Sequence, residues 1–228
     1  MKILITAGPT CEKIDPVRFI SNYSSGKMGY ALAEAASKKG HAVTLVSGPV
    51  ALVPPKSVKT VQVESAAEMA REVRWVAKSA DLIIMAAAVA DYAPANFAKD
   101  KIKKKEAVLS IKLKKTEDIL ANLGKHREKG QILVGFAAET SDLIRNAESK
   151  LEKKNLDWIV ANEVGKKDRG FSSDNNAATL ISRDGKRIKF PLQSKTSLAG
   201  KILSIVSKRT SNTQCSKLNV GGSNRVAF

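Results

Sequence analysis

The stretch SNYSSGKMG, near the front of the chain, has the composition of an anion-binding loop. Gly26 and Gly29 would let a ligand approach the backbone closely, and free N–H groups at a helix start favour phosphate. Lys27 adds a positive charge, while Ser24 and Ser25 add hydroxyl groups. The spacing nevertheless fits neither a Rossmann G-x-G-x-x-G fingerprint nor a Walker A motif. Two interpretations therefore stay open: a phosphate site, or glycines that only pack a helix onto a sheet.

Three further positions carry side chains suited to nucleotide chemistry. Asn22 could donate a hydrogen bond to a developing oxyanion, although a loop asparagine is more often a turn former or cap. Asp91 could hold a nucleotide hydroxyl or Mg²⁺, or it could cap the next segment. The lysines of residues 101–104 could neutralise a triphosphate, or they could form a solvated charge run.

The elements that position these residues follow from hydrophobic periodicity. Apolar runs predict strands over residues 2–6, 41–47, 81–90, 132–137 and 156–161, and helical spacing predicts helices over residues 28–39 and 66–79. A strand, a helix and a second strand in this order form a βαβ unit, which requires a parallel sheet. The near-continuous apolar strands indicate that helices cover both faces. The predicted fold class is therefore α/β, a doubly wound, Rossmann-like, mostly parallel sheet.

Two stretches interrupt this alternation. Residues 93–115 are lysine-rich and predict a flap, a mobile loop followed by a half-exposed strand. Residues 178–190 contain two β-prone runs joined by Asp184 and Gly185, which predicts a hairpin. We expect this hairpin to form a small antiparallel element at the sheet edge and a candidate dimer contact. Residues 1–210 then form one domain, and the polar residues 211–228 a disordered tail.

Ligands of doubly wound sheets bind outside the carboxyl ends of the strands. Asn162 and Asn175 lie in segments predicted to reach this edge, where they could contact a base or only close turns. The formal charge of +17 calls for a polyanionic partner, either nucleic acid or small phosphorylated substrates. Two distant cysteines and the lack of a signal peptide or membrane-spanning run favour a soluble, cytoplasmic protein.

Six segments together resemble one enzyme family. They are ITAGPTCEKIDPVRFISNYSSGKMG, VTLVSGPV, AAAVADY, KIKKK, VGFAAET and GFSSDNNAATLI, and they run in the family's order through residues 2–190. The chain resembles the phosphopantothenoylcysteine synthetases of coenzyme A biosynthesis, in their bacterial, CTP-using form. Each segment alone is a weak signal, whereas the set is highly specific.

The resemblance implies a two-step ligation. The carboxylate of 4′-phosphopantothenate attacks the α-phosphate of CTP, which gives an acyl-cytidylate and pyrophosphate, and the amine of cysteine then displaces CMP. It also implies Mg²⁺ bound with CTP, a homodimer and a separate or fused phosphopantothenoylcysteine decarboxylase as a partner. Neither FMN on this chain nor a nucleic-acid or membrane partner is expected.

The family's roles can be carried over to matching positions. Asn22 is expected to hold the acyl-cytidylate and its oxyanion, and Lys101 to cover the intermediate as part of the flap. The resemblance assigns CTP contacts to Ser24, Ser25, Gly26, Lys27, Met28, Gly29, Ala86, Ala87, Ala88, Asp91, Glu117, Asp118, Ile119, Leu120, Phe136, Lys150 and Lys154. Glu117 stands where relatives often have a proline, so the base contact at this position is left open.

Two other functional classes remain as alternatives. The fold class would also suit an NADPH-binding Rossmann reductase, against which the missing G-x-G-x-x-G fingerprint counts. The charge would also suit a basic nucleic-acid-binding protein, against which the low aromatic content of 5% counts.

Overall fold

The computed structural model describes residues 1–104, 107–139, 141–163 and 173–208. The strands of these residues are β1 Lys2–Ala7, β2 Cys11–Lys13, β3 Phe19–Ser21, β4 Ala42–Ser47, β5 Lys59–Gln62, β6 Leu82–Met85, β7 Tyr92–Pro94, β8 Leu113–Lys115, β9 Ile132–Glu139, β10 Trp158–Glu163, β11 Asn175–Ser182 and β12 Arg187–Ser194. The helices are α1 Lys27–Lys38, α2 Ala66–Ala77, α3 Ile119–His126, α4 Leu143–Lys153 and α5 Lys195–Val206.

Eight strands form the central sheet in the order β12-β11-β10-β9-β6-β1-β4-β5. The six strands from β10 to β5 are parallel, whereas β11 and β12 are antiparallel additions at one edge. The strand order reverses around β1 and β6, and at such switch points open α/β sheets bind ligands. This topology therefore predicts a ligand site at the carboxyl ends of the parallel strands.

Helices cover both faces of the sheet. On one face, α1 and α5 contribute buried side chains such as Leu32 and Leu203 to a common core. On the other face, α2, α3 and α4 contribute Met69, Leu123 and Leu151 to a second core. The predicted doubly wound α/β fold is thus confirmed.

The strand predicted over residues 81–90 is wrong in its extent. Regular pairing in β6 ends at Met85, and the chain then bends towards the loop after β1. The Ala87 amide donates to the Thr6 hydroxyl at 3.1 Å, and the Ala88 amide donates to the Gly8 carbonyl at 2.9 Å. The run of alanines was predicted as a buried strand because it is apolar. These backbone hydrogen bonds instead bend it away from the sheet, so that it lines a cavity.

The two interrupting stretches also take defined forms. The hairpin at Asp184 and Gly185 is confirmed, but its strands are longer than predicted and extend the central sheet itself. Of the half-exposed strand predicted before residue 115, only Leu113–Lys115 pairs, with Tyr92–Pro94 as its partner. The tail predicted over residues 211–228 lies outside the described residues. In the described part of the chain, no helix is long and apolar enough to cross a membrane.

Candidate active site

A cavity of about 370 Å³ lies at the carboxyl ends of the parallel strands. Its lining comes from the start of α1, the bend after β6, the start of α3, and the ends of β9 and β10. Its size falls within the usual range of small-molecule sites, about 300–1,000 Å³. The cavity is therefore the candidate site.

Of the residues to which the resemblance assigns a role, all except Lys101 gather around this cavity. Those that line it are Asn22, Ser24, Ser25, Gly26, Lys27, Met28, Gly29, Ala86, Ala87, Ala88, Asp91, Glu117, Asp118, Ile119, Leu120, Phe136, Lys150 and Lys154. Lys101 is exposed and does not line the cavity. Its neighbour Ile102 is held instead against the turn after β2, where its amide donates to the Asp15 carboxylate at 3.1 Å.

Asp15 is buried and anchors the flap segment, and it forms an ion pair with the partly exposed Arg18. Its side chain accepts from the Arg18 guanidinium, and from the backbone amides of Val17 and Arg18 at 2.9 and 2.8 Å. The hydrogen bond from Arg18 holds the pKa of Asp15 well below its usual range, against the opposing effect of burial. Arg18 also donates to the Ile102 carbonyl at 2.9 Å. The residue next to Lys101 is thus fixed by a charge cluster.

Asn22 bridges the N-terminal hairpin and the bend after β6. Its carboxamide Nδ2 donates to the Ala88 carbonyl at 3.0 Å, directly after β3 ends at Ser21. A carboxamide has a second N–H and an acceptor oxygen, so this bond leaves donor capacity for a ligand. The structure therefore holds the Asn22 carboxamide at the cavity wall, where its remaining N–H could donate to a ligand.

The start of α1 explains the two glycines of SNYSSGKMG. Gly26 has a φ of 76° as the residue that precedes the helix, and no side chain caps the first turn. At Gly29 an added Cβ would lie 2.5 Å from the Ala7 Cβ, because the helix packs directly on β1. Both glycines are required by the backbone or by packing, and this same arrangement brings an uncapped helix N-terminus to the cavity, where it favours anions.

One end of the cavity combines apolar side chains with two lysines. Ile119, Leu120 and Phe136 supply the apolar surface, and the Lys150 ammonium donates to the Phe136 carbonyl at 2.9 Å. Burial lowers the pKa of Lys150, and the charge of Lys154 lowers it further. We call these five residues the base pocket, because apolar side chains beside cationic donors are the groups that suit a flat polar ring.

The carboxylates beside the base pocket are engaged by cations. Lys154 donates to Asp118 at 2.9 Å, and Arg74 donates to Glu117 at 2.7 Å. Burial raises the pKa of Asp118, but the Lys154 hydrogen bond and the Ala121 amide outweigh it and leave the pKa lowered. Asp118 is thus an ionised N-cap of α3. Glu117 lines the cavity, and its carboxylate is paired with Arg74.

The opposite end holds residues that the sequence did not single out. Asn176 and Lys195 line the cavity there, although only 2% and 6% of their surfaces are exposed. Asn162 also lines this end, whereas its predicted companion Asn175 is exposed and lies outside the lining. Lys27 forms an ion pair with Asp174 at 2.6 Å beside them. The motif GFSSDNNAATLI contained the signal for Asn176, but spacing alone did not distinguish it from Asn175.

With this geometry in view, the class of protein follows from comparison with known families. The chain matches the DNA/pantothenate metabolism flavoprotein C-terminal domain over residues 1–210, and it belongs to this family. Similar relatives include the coenzyme A biosynthesis bifunctional protein CoaBC of Bacillus subtilis, 47% identical over 92% of this chain and 52% of that protein. Another is named cysteine/cysteine sulfinic acid decarboxylase, from an unknown prokaryotic organism, 48% identical over 89% of this chain and 56% of that protein.

A solved structure is similar to nearly the whole chain. The crystal structure of the C-terminal domain of coenzyme A biosynthesis bifunctional protein CoaBC is 47% identical, with a TM-score of 0.76. The match covers 89% of this chain and 92% of that domain. This chain spans about half the length of the curated relatives. The comparisons confirm the predicted relationship to a domain of the bifunctional coenzyme A biosynthesis protein.

Proposed function

We propose that this chain is a ligase that joins 4′-phosphopantothenate to L-cysteine at the expense of CTP. The observation that carries the proposal is the cavity itself. It gathers the motif residues of a family whose solved CoaBC domain is 47% identical to this chain over nearly its whole length. The base pocket suits a nucleobase, and the uncapped start of α1 suits phosphates.

The first step activates the carboxylate. One carboxylate oxygen of 4′-phosphopantothenate attacks the α-phosphorus of CTP, the bond from this phosphorus to the bridging oxygen breaks, and pyrophosphate leaves with the electron pair. Asn22 at the cavity wall donates a hydrogen bond to the acyl-cytidylate, a role that a neutral carboxamide fills without titrating. The first-turn amides of α1 stabilise the phosphate charge.

The second step forms the amide bond. The amine nitrogen of cysteine attacks the activated carbonyl carbon, a proton is released to solvent, and CMP leaves. Lys101 acts here when the flap closes over the intermediate, which shields the reactive anhydride from water. The contacts of Asp15 and Arg18 with Ile102 hold the residue next to Lys101 beside the N-terminal hairpin.

Magnesium enters the proposed reaction with the nucleotide. Mg²⁺ is commonly held by substrate phosphates, waters and one or two carboxylates, so a dedicated protein cage is not required. Among the described residues, no group of three or more potential metal ligands occurs. Asp91 fits the role of a single carboxylate ligand, because it lines the cavity whereas Glu117 and Asp118 are paired with cations. Magnesium there would neutralise the leaving pyrophosphate.

The assembly and cellular setting belong to the same proposal. We infer a cytoplasmic homodimer, and an association with a phosphopantothenoylcysteine decarboxylase is supported by the two-activity name of the CoaBC relatives. The edge strand β12 is the candidate dimer contact, since one of its sides pairs with no other described strand and Leu192 is exposed on it. Sedimentation of wild type and Leu192→Lys tests this contact: the variant should be monomeric, and an unchanged mass would exclude β12.

The activity is tested by incubating the chain with Mg²⁺, CTP, 4′-phosphopantothenate and cysteine, and measuring pyrophosphate and product. Pyrophosphate should appear with CTP and much less with ATP, and amide product should require cysteine. A reaction without cysteine should still release pyrophosphate in a first turnover, because activation precedes amine attack. The proposal fails if no nucleoside triphosphate yields pyrophosphate under these conditions.

A further inference from the structure

Two buried threonines hold the bend after β6, residues 86–91, which forms one wall of the cavity. Thr6 lies in β1 and Thr10 in the loop that follows it, and both are fully buried. Neither threonine lines the cavity itself. The Thr6 hydroxyl accepts from the Ala87 amide at 3.1 Å, and the Thr10 hydroxyl accepts from the Ala90 amide at 3.0 Å. The two hydroxyls thus hold backbone amides beyond the point where regular strand pairing ends.

Thr10 also contacts both structures that hold Asn22. Its amide donates to the Ala88 carbonyl at 3.3 Å, and the same carbonyl accepts from Asn22 Nδ2 at 3.0 Å. The Thr10 carbonyl accepts from the hydroxyl of Ser21, the residue before Asn22, at 2.8 Å. The amide, the carbonyl and the hydroxyl of Thr10 therefore each hold either the bend to which Asn22 is bonded or the residue next to Asn22.

The bend keeps a fixed register against the loop after β1. Thr6 pairs with Met85 inside the ladder, and a single parallel bridge joins Pro9 to Ala88 beyond it, so the register is unchanged across the interruption. The hydroxyls of Thr6 and Thr10 contact the bend on either side of this bridge. Together these contacts satisfy buried backbone groups and fix the orientation of the Ala88 peptide.

Asn22 needs this support because its side chain is exposed at the cavity wall. An exposed carboxamide can take several orientations, and the bond to the Ala88 carbonyl selects the one in which Nδ2 faces the bend. The remaining N–H and the oxygen are then held in place for a ligand. A displacement of about 1 Å at a positioned group can lower a rate by about 100-fold, so the placement of the Ala88 carbonyl matters for the reaction.

We propose that Thr10 is a positioning residue for the carboxylate-activation step. Its amide and hydroxyl hold the bend in the place from which the Ala88 carbonyl orients the Asn22 carboxamide, and its carbonyl holds Ser21 beside it. This inference rests on the proposed ligase function. Thr10 acts through Asn22, because it does not line the cavity. Its role is to keep the Asn22 donor aligned with the acyl-cytidylate while pyrophosphate leaves.

The test measures the first-turnover rate of acyl-cytidylate formation by rapid quench. Thr10→Val keeps the shape of the side chain but removes the acceptor of the Ala90 amide, and it should lower this rate by about tenfold. Thr10→Ser retains the hydroxyl and should stay within about twofold of the wild-type rate. The matched control is Thr179→Val, at a buried threonine of β11 that does not line the cavity, and it should keep the wild-type rate.

A double-mutant cycle separates positioning of Asn22 from general support of the fold. If Thr10 acts through Asn22, Thr10→Val should lower the rate by less than about twofold in an Asn22→Ala background. A loss of about tenfold in both backgrounds would overturn the proposal. So would a wild-type rate in Thr10→Val, or a rate in Thr10→Ser as low as that of Thr10→Val.

The NMR signals of the Asn22 side-chain amide provide a readout that needs no reaction. They are assigned by their absence in Asn22→Ala, and they should shift in Thr10→Val but not in Thr179→Val. If wild type forms no acyl-cytidylate, the ligase proposal fails. The shift would then still show that Thr10 positions Asn22, whereas unchanged signals would overturn the inference.

A second variant covers the case in which Thr10→Val does not fold. Ser21→Ala removes the contact to the Thr10 carbonyl from an exposed position, and it should lower the rate by about threefold and shift the same Asn22 signals. An unchanged rate together with unchanged signals in Ser21→Ala would overturn the proposal.

Discussion

Gly29 offers a direct test of how the fold positions the proposed phosphate site. It lies in the first turn of α1, where the helix crosses β1. A Cβ at this position would lie 2.5 Å from the Ala7 Cβ, 2.8 Å from the Thr6 carbonyl oxygen and 3.0 Å from the Ala7 Cα. Two of these three atoms belong to the backbone, so rotation of a side chain cannot relieve the overlap. Gly29→Ala must therefore push the start of α1 away from the sheet.

The magnitude follows from two opposing effects. Overpacking of a core costs about 1–3 kcal/mol, whereas alanine in place of glycine inside a helix gains up to about 1 kcal/mol. Gly200 in α5 is the matched control, because a Cβ there would meet no atom within 4 Å. Gly200→Ala should stabilise the protein by about 0.5–1 kcal/mol. The difference between the two variants isolates the overlap, and we expect about 1–3 kcal/mol.

The assay is urea unfolding of wild type and both variants, followed by titration with CTP. In a matching thermal unfolding experiment, each kcal/mol of destabilisation should lower Tm by about 2–4 °C for a chain of this size. Gly29→Ala should also weaken CTP binding, since the displaced helix start no longer faces the cavity correctly, whereas Gly200→Ala should bind CTP like wild type. Free energies of unfolding that agree within about 0.5 kcal/mol for the two variants would refute the packing argument.

Three further variants test the proposed mechanism and its support. Asn22→Asp should lower kcat by about 100-fold or more, because an anion replaces a donor beside the developing oxyanion; rapid-quench measurement of acyl-cytidylate checks this. Lys101→Gln should accumulate an acyl-cytidylate that cysteine resolves slowly, which chromatography of the trapped intermediate detects. Asp15→Asn should lower stability to urea above pH about 4, and the difference from wild type should shrink at lower pH.

The sign of the Asp15 effect follows from its lowered pKa. A carboxyl group whose pKa is depressed by folding stabilises the folded state above its unfolded pKa, and this contribution is lost as pH falls through the folded value. A constant difference between wild type and Asp15→Asn down to pH 2 would contradict the ion-pair explanation.

Lys99→Gln, an exposed lysine on the same segment, is the control for Lys101→Gln. Wild-type turnover in Lys101→Gln or Asn22→Asp would contradict the role assigned to that residue.

The sequence predicted the sheet well, because its strands are continuous apolar runs. It also missed elements whose signals were present: Ser194 caps α5, and Leu198, Ile202 and Val206 follow at helical spacing. The bend after Met85 was not predictable, since alanines carry no mark of the backbone hydrogen bonds that shape them.

The candidate site was predicted where one segment carries several of its residues. Gly29 packs against β1, and the same packing brings the start of α1 to the cavity. The packing of the helix and a phosphate site at its start are therefore compatible interpretations of the glycines in SNYSSGKMG. Lys195 escaped prediction because a lysine at a helix start looks solvated in sequence. Its burial depends on contacts between α5 and α1, which lie far apart along the chain.

The central claim, activation of a carboxylate as an acyl-cytidylate, is tested most directly by isotope transfer. The reaction is run with 4′-phosphopantothenate labelled with ¹⁸O in its carboxylate, and CMP and pyrophosphate are analysed by mass spectrometry. An acyl-cytidylate intermediate predicts one ¹⁸O atom in CMP and none in pyrophosphate, because the oxygen that attacks the α-phosphorus stays with it when cysteine displaces CMP. Unlabelled CMP, or label in orthophosphate, would exclude an acyl-cytidylate intermediate.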